Sequence, residues 1–378
     1  AYEIRLSLVG SEMCIRDRVY SEPGRDHNDP NSENDLSAAH VRRPYPGDPY
    51  LTTLASIDEC IRNLVCVGAD PTRIAILDNF CWPSCEKPEN LGSLVRAAEA
   101  CYDGAKAYRT PFVSGKDSLN NQLRYTDPAT GESRLIEIAP TLLITGLGIV
   151  PSISQCVTMD AKQAGNNLML IGATTAKMGG SHYAQGFGCE DPAYPELNLK
   201  IGPATARAVA QCIREGLVRS AHDCSDGGLL VAVAEMLIAT SGVRASTTAD
   251  TSHTESGTRA PGNAPSALDD LLSNHNVSGD RPGGRGASQL RALGAQLTID
   301  PNLLETYELA FAETPSRYIL EVEPANVTKV RNVLRDHGAI PATVLGALTD
   351  DGQLLWDKAD LRADVTDLAA AWLAPLDW

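Results

Sequence analysis

Apolar positions recur at helical spacing in some stretches of the chain and form short solid runs in others. Ile57, Cys60, Ile61, Leu64 and Val65 mark one face of a helix over 56–68. Leu94, Ala97, Ala98, Cys101, Ala105 and Tyr108 do the same over 93–108. Between them RIAILD (73–78) is an apolar run ending in an acid, which predicts a strand. Two further strands are expected at 111–114 and 139–150. A second unit begins near Gln155. It offers a strand over 167–172, a glycine-rich loop at 179–181 and a helix over 203–218 with proline in its first turn. A strongly apolar helix over 229–241 is stopped by Gly242, and a helix over 327–337 by Gly338. A strand lies between them at 318–322. Mixed strands and helices predict an α/β (α+β) protein of two domains, 46–154 and 155–378.

Three stretches depart from this pattern. Residues 19–45 are polar and rich in Pro, Asn and Asp, so they are expected to form a loop or linker. Residues 244–289 are dominated by Ser, Thr, Gly, Pro, Asn and Asp. So little apolar surface cannot offset the entropy of ordering, and a disordered insertion in the second domain is expected. The string LVGSEMCIRDR (8–18) resembles a translated sequencing-library adaptor. Residues 1–18 are therefore set aside as non-native, and the native chain is expected to start near Val19 and to continue further toward its N-terminus. No internal repeat is present.

Composition narrows the class. The chain has 378 residues, enough for two or three domains. Its 48 acids against 32 bases leave a formal net charge of −16, which argues against a nucleic-acid binder. A small anionic ligand remains compatible, because backbone donors and a few cations build such a site locally. No apolar run reaches membrane-spanning length, and no signal peptide is legible near the start. The ten cysteines follow no framework spacing, as expected of reduced thiols in a cytoplasmic protein. No His or second Cys pair accompanies Cys81 and Cys85, so a zinc site is not expected.

Four places carry candidate chemistry. Glu59 and Asn63 stand i, i+4 on the first helix and present two hard oxygen ligands suited to Mg²⁺; spacing alone favours a solvated helix face. HDCSDGG (222–228) precedes the apolar helix. A helix cap needs one such residue, whereas two acids, a serine and two glycines suit a metal–phosphate group. Gly115-Lys116-Asp117-Ser118 follows a predicted strand end, with close backbone approach, a cation and a hydroxyl to offer. A plain turn explains it equally well, and it is not a Walker A loop. Asp78 alone is an ordinary strand-end acid. No HExxH or GxSxG pattern occurs, so hydrolase triads have no support.

Taken together, DPYLTTLASIDECIRNLVCVGADP (48–71), RIAILDNFCWPSCEKPENLG (73–92), TPFVSGKDSLNNQ (110–122), GGSHY (179–183) and AHDCSDGGLLVAVAEM (221–236) resemble the phosphoribosylformylglycinamidine synthases. ETPSRY (313–318) is a weaker match. These are ATP- and glutamine-dependent ligases of purine biosynthesis, and the resemblance covers 46–243 and 288–356. It implies a two-domain unit like aminoimidazole ribonucleotide synthetase, the second copy of a tandem repeat. The first copy, with the family's catalytic histidine and main ATP site, has no counterpart here, nor has the glutaminase that supplies ammonia. No catalytic residue is therefore expected within this chain. The resemblance implies Glu59, Asn63 and Asp223 as Mg²⁺ ligands of a second ATP/ADP site, with Ser225 touching the nucleotide. Asp78 and Gly115 match ATP contacts of the small-form enzymes, and Ser118 a substrate contact. Lys116, assigned to the same substrate side, stands where the small forms carry a metal-binding Asn; GKDS looks like the larger forms. The implied partners are the missing N-terminal half, the glutaminase and a ribonucleotide substrate. A non-catalytic nucleotide–Mg²⁺ scaffold is the alternative role. Selenophosphate synthetase and thiamine-monophosphate kinase types need N-terminal acidic motifs not found here.

Overall fold

The computed structural model describes residues 4–8, 48–187, 193–241, 292–300 and 304–374. The expected linker at 19–45 and insertion at 244–289 lie outside them. Asp48 starts the first helix. Its carboxylate accepts the N–H groups of Tyr50 and Leu51 at 2.8 and 3.3 Å, and Pro49 takes the first position, so α1 runs Pro49–Cys66. The apolar stripe becomes regular only at Ile57, which is why periodicity alone starts the helix late.

The chain continues through β2 (Ile74–Cys81), α2 (Pro88–Tyr108), β3 (Phe112–Ser118), a hairpin of β4 (Gln122–Thr126) and β5 (Ser133–Glu137), and β6 (Thr141–Val150). A four-stranded mixed sheet has the order β1–β6–β2–β3. Its edge strand β1 (Ile4–Leu8) falls inside the segment set aside above, and its backbone pairs antiparallel with β6. The expected end of β3 at Ser114 is corrected. Parallel pairing with β2 continues to Cys81 opposite Ser118, so GKDS is strand, not a turn after one.

Burial along β6 alternates residue by residue, with Leu142, Ile144 and Val150 buried and Leu143, Leu147 and Ile149 half-buried. The buried face meets α1 closely. A Cβ at Gly146 would lie 2.5 Å from Cys60 Sγ, and one at Gly148 would lie 2.8 Å from Ala69 Cβ. The same device brings α2 onto α1, where a Cβ at Gly104 would lie 2.8 Å from Ile57 Cδ1.

The second unit is a seven-stranded sheet of order β13–β12–β9–β11–β7–β10–β8. Its strands are β7 (Asn167–Ile171), β8 (Ser220–Asp223), β9 (Gly294–Leu297), β10 (Tyr318–Val322), β11 (Ala342–Thr349), β12 (Gln353–Trp356) and β13 (Leu361–Asp364). All neighbours run antiparallel except β12 and β9. Helices α3 (His182–Phe187), α4 (Ile201–Arg214), α5 (Gly228–Ile238), α6 (Thr306–Phe311), α7 (Val327–Asp336) and α8 (Val365–Leu373) complete it. Central strand β10 is buried throughout. Its Tyr318, Leu320 and Val322 join a core shared with α1, α4 and α7, while Ile319 joins a second core under α5 and α8. Helix α1 thus belongs to the first unit in sequence but to the core of both. Among the described residues no helix is long and apolar enough to cross a membrane.

Gly146→Val drives two methyl groups into Cys60 and Leu64 of α1. A loss of about 1–3 kcal/mol is expected, as for other overpacked cores, read from the urea midpoint of the chain.

Candidate functional site

The candidate site lies where α1 meets the end of β8. The solvated-face reading of Glu59 is overturned, for Glu59 is 4% exposed. Asn63 is half-buried one turn further on. Between them in sequence stands Arg62, buried and charged. Its Nε donates to Asp58 Oδ2 at 2.7 Å. Its Nη1 donates to Asp223 Oδ2 at 3.2 Å, to Ser225 Oγ at 2.9 Å and to the Cys224 carbonyl at 3.2 Å. Asp58 in turn accepts from Ser316 N and Ser316 Oγ, each at 2.8 Å, and from the Tyr108 hydroxyl. One guanidinium therefore links the first unit to two separate segments of the second.

Asp223 ends β8 and is held from three sides. Besides Arg62, the Ser225 hydroxyl donates to its Oδ2, and His222 Nδ1 lies 3.3 Å from its Oδ1. Burial pushes the Asp223 carboxyl up, but His222, Arg62 and Ser225 outweigh it and bring its pKa down to about 2. Burial lowers His222 as well, and Asp223 together with Glu235 at 3.1 Å overrides that and raises it to about 10. Arg62 stays charged against full burial because Asp58, Asp223 and Glu59 face it together.

Two consecutive glycines in the left-handed region, Gly227 at φ 72° and Gly228 at φ 76°, turn the chain from Asp226 into α5. The cap there is Gly227, with no side-chain hydrogen bond to the helix end. Asp223 and Ser225 bond Arg62 and each other.

A second group lies on the first unit's sheet. Asp78 pairs with Gly115 across β2 and β3. The Asp78 carboxylate folds over Gly115 so closely that a Cβ there would lie 2.0 Å from Oδ1. Burial, then the neighbouring Asp117, raise the Asp78 carboxyl, and the Lys116 N–H pulls it back. Strand alternation puts Lys116 and Ser118 on the opposite face, where the Lys116 ammonium donates to the Ser118 hydroxyl. Asp78 and Gly115 therefore face α1 and α2, while Lys116 and Ser118 face the other way. The two pairs do not share one pocket wall.

The donors at the domain junction suit a hard divalent cation. Glu59 and Asn63 bring a carboxylate and an amide oxygen from one helix face. The carboxylates of Asp58, Asp223 and Glu59, all buried, act on Arg62. Among the described residues no three His, Cys, Asp or Glu side chains form a ready cage. The set here is two carboxylates and an amide, and a metal would share Asp223 with Arg62 and Ser225, which a carboxylate's several lone-pair sites permit.

Sequence reading missed Arg62, Asp58 and Ser316. The available signal was an Asp–Arg pair at i, i+4 beside the apolar stripe of α1, where exposed polar residues would be ordinary.

Two family models match the chain: the N-terminal domain of AIR synthase related proteins over 35–150 and their C-terminal domain over 163–271. Together they match more than half of the chain. Among curated relatives, the phosphoribosylformylglycinamidine synthase subunit PurL of Anaeromyxobacter dehalogenans is 29% identical over 326 residues, 86% of this chain and 35% of that protein. Its counterpart from Anaeromyxobacter sp. is 37% identical over 189 residues, 50% and 23% of the two chains. That of Deinococcus radiodurans is 36% identical over 198 residues, 51% and 25%. The chain thus matches only a minor part of these relatives' length. Thermotoga maritima PurL complexed with FGAR superposes with a TM-score of 0.55 at 17% identity, over 85% of this chain and 43% of that one. Its ATP complex gives 0.52 at 16%, over 85% and 42%. At this identity the likeness establishes the fold.

Arg62→Met keeps an unbranched apolar stem but removes the guanidinium, and leaves Asp58 and Asp223 buried without their shared cation. A loss of about 3–5 kcal/mol in urea unfolding is expected, and a change under about 1 kcal/mol would contradict the assigned network.

Proposed function

The chain belongs to the AIR synthase related family, and on that premise we propose that it is the C-terminal half of a phosphoribosylformylglycinamidine synthase. The whole enzyme would convert formylglycinamide ribonucleotide to formylglycinamidine ribonucleotide in de novo purine biosynthesis. ATP phosphorylates the amide oxygen, and ammonia released from glutamine displaces the phosphate to give the amidine. The enzyme is thus an amidoligase of the cytoplasm, and this half is inactive alone.

One observation carries the reading: Asp223, from one motif, bonds Arg62, which stands between Glu59 and Asn63 in a distant motif on α1. In this reading Glu59, Asn63 and Asp223 hold Mg²⁺ and Ser225 meets the nucleotide. A bound Mg²⁺ would offset the phosphate charge there. Arg62 holds Asp223 and Ser225 toward α1. Asp78 and Gly115 are assigned to a nucleotide contact and Lys116 and Ser118 to the ribonucleotide, on the two faces of one sheet.

The partner proposed is the other half of the same enzyme. The face of β6 away from α1 presents Leu143, Leu147 and Ile149 half-buried, on the same sheet face as Lys116 and Ser118 of β3 with β2 between them. A glutaminase, fused or separate, completes the assembly. Deep burial of Asp223 in an interdomain network also favours a second reading, in which the junction nucleotide holds the halves together and is not consumed.

Two measurements test this. ADP with Mg²⁺ is expected to bind the purified chain at one site, and Glu59→Gln or Asp223→Asn to weaken it about ten- to a hundredfold by equilibrium dialysis. In the intact enzyme the same variants separate the roles: lost turnover at unchanged stability sinks the scaffold reading. The isolated chain is also expected to self-associate through its open sheet, and a clean monomer by light scattering counts against that face.

A further inference from the structure

The segment joining α6 to β10, residues 312–317, lies beneath both glycine-rich loops of the second unit. Glu313 stands in the middle of this buried segment, with a side chain 5% exposed. A single oxygen, Oε1, accepts from Gly227 N at 2.7 Å and from His182 N at 3.1 Å. His182 Nδ1 stands 3.2 Å from the same oxygen. Gly227 belongs to the turn that follows Asp223 and Ser225, and His182 to the GGSHY loop. The two loops are far apart in sequence and meet on one carboxylate.

The rest of the segment grips the same loops. Cys224 N donates to the Arg317 carbonyl at 3.0 Å, so the turn from Cys224 to Gly227 is fixed at both ends. A Cβ at Gly228 would lie 2.7 Å from the Ala312 carbonyl oxygen, so the turn sits directly on the segment's backbone. Thr314 Oγ1 accepts from Thr175 N at 3.1 Å, and Arg317 Nη1 donates to Thr174 Oγ1 at 3.0 Å. These anchor the chain as it leaves β7 toward the GGSHY loop.

We infer that Glu313 is a positioning residue that couples the two loops and presents Asp223 and Ser225 to α1. The inference rests on the nucleotide reading given above. It acts through the backbone amides of Gly227 and His182. A carboxylate suits the task because charge-assisted bonds from several donors converge on one oxygen. Gln at 313 keeps an acceptor oxygen without the charge, and Ala keeps neither.

Hydrogen exchange of the full chain, followed by mass spectrometry, tests the coupling without any ligand. In Glu313→Ala, exchange should rise about tenfold or more in peptides covering both 181–184 and 225–229, while β10 stays protected. Glu313→Gln should recover most of the protection. A rise in one loop only, in neither, or throughout the domain overturns the inference. Equilibrium dialysis with ADP and Mg²⁺ separates it from the reading beneath it. Wild-type chain that binds no ADP while both loops respond overturns the nucleotide reading and leaves the coupling standing. Wild-type chain that binds, with Glu313→Ala binding equally well, overturns the positioning role. Binding about tenfold weaker in Glu313→Ala, largely rescued in Glu313→Gln, bears it out.

Discussion

The buried guanidinium of Arg62 is the constraint on which the arrangement of the two units depends. A cation fully removed from water is tolerated only with its charge matched and its donors satisfied. Asp58 supplies the match from within α1, and Asp223 supplies it from the end of β8. Carbonyl and hydroxyl oxygens of Cys224 and Ser225 take up the remaining geometry. Asp58 is satisfied in turn by Ser316 from the second unit. Shifting one unit against the other would strand at least one buried charge. Apolar packing between α1, α4 and β10 supplies attraction without direction. The polar cluster selects a single docking angle from those that packing permits.

That same requirement explains why the site was only partly legible in sequence. Elements whose signal is local were readable. The bounds of β10, 318–322, were readable from a short run of Tyr, Ile, Leu and Val broken only by Glu321, and α5 from its apolar composition. Where a boundary depends on a neighbour, local reading failed. GKDS reads as a turn by composition but is held as strand by its pairing with β2. Glu59 reads as a solvated acid by spacing, yet it is buried, on a helix that packs into the core shared by both units. Asp58 and Arg62 look like an ordinary surface pair, and only Asp223 and Ser316 give them their role. Gly115 was identified for the right position and an incomplete reason: besides close approach, it leaves room for the Asp78 carboxylate.

The resemblance contributed what patterning could not, since it nominated Asp223 and Glu59 together before any geometry joined them. Physical reading then changed their context. Asp223 is not an open ligand awaiting a metal. It is an ionised carboxylate already shared among a guanidinium, an imidazolium and a hydroxyl, with its pKa near 2. An acid poised for proton transfer would be tuned toward neutral pH. One held so far below it stays ionised and keeps its bonds to Arg62 and Ser225.

The placement of the other assigned residues bears on completeness. Lys116 and Ser118 point away from α1 and α2, onto a sheet face whose β6 row is only half-buried. A ligand site that recognises a small polar molecule encloses most of its surface, with apolar walls and a few directed polar groups. One sheet face offers a single wall. A ribonucleotide resting on Lys116 and Ser118 would remain open to water on its far side, where an activated phosphoryl intermediate is exposed to hydrolysis. In that reading enclosure would come from a second body applied to this face, whose apolar row on β6 is separated from the two polar residues by β2. In the proposed reading, the face that meets the ribonucleotide would also meet the other half, so closing the pocket and joining that half would be the same event.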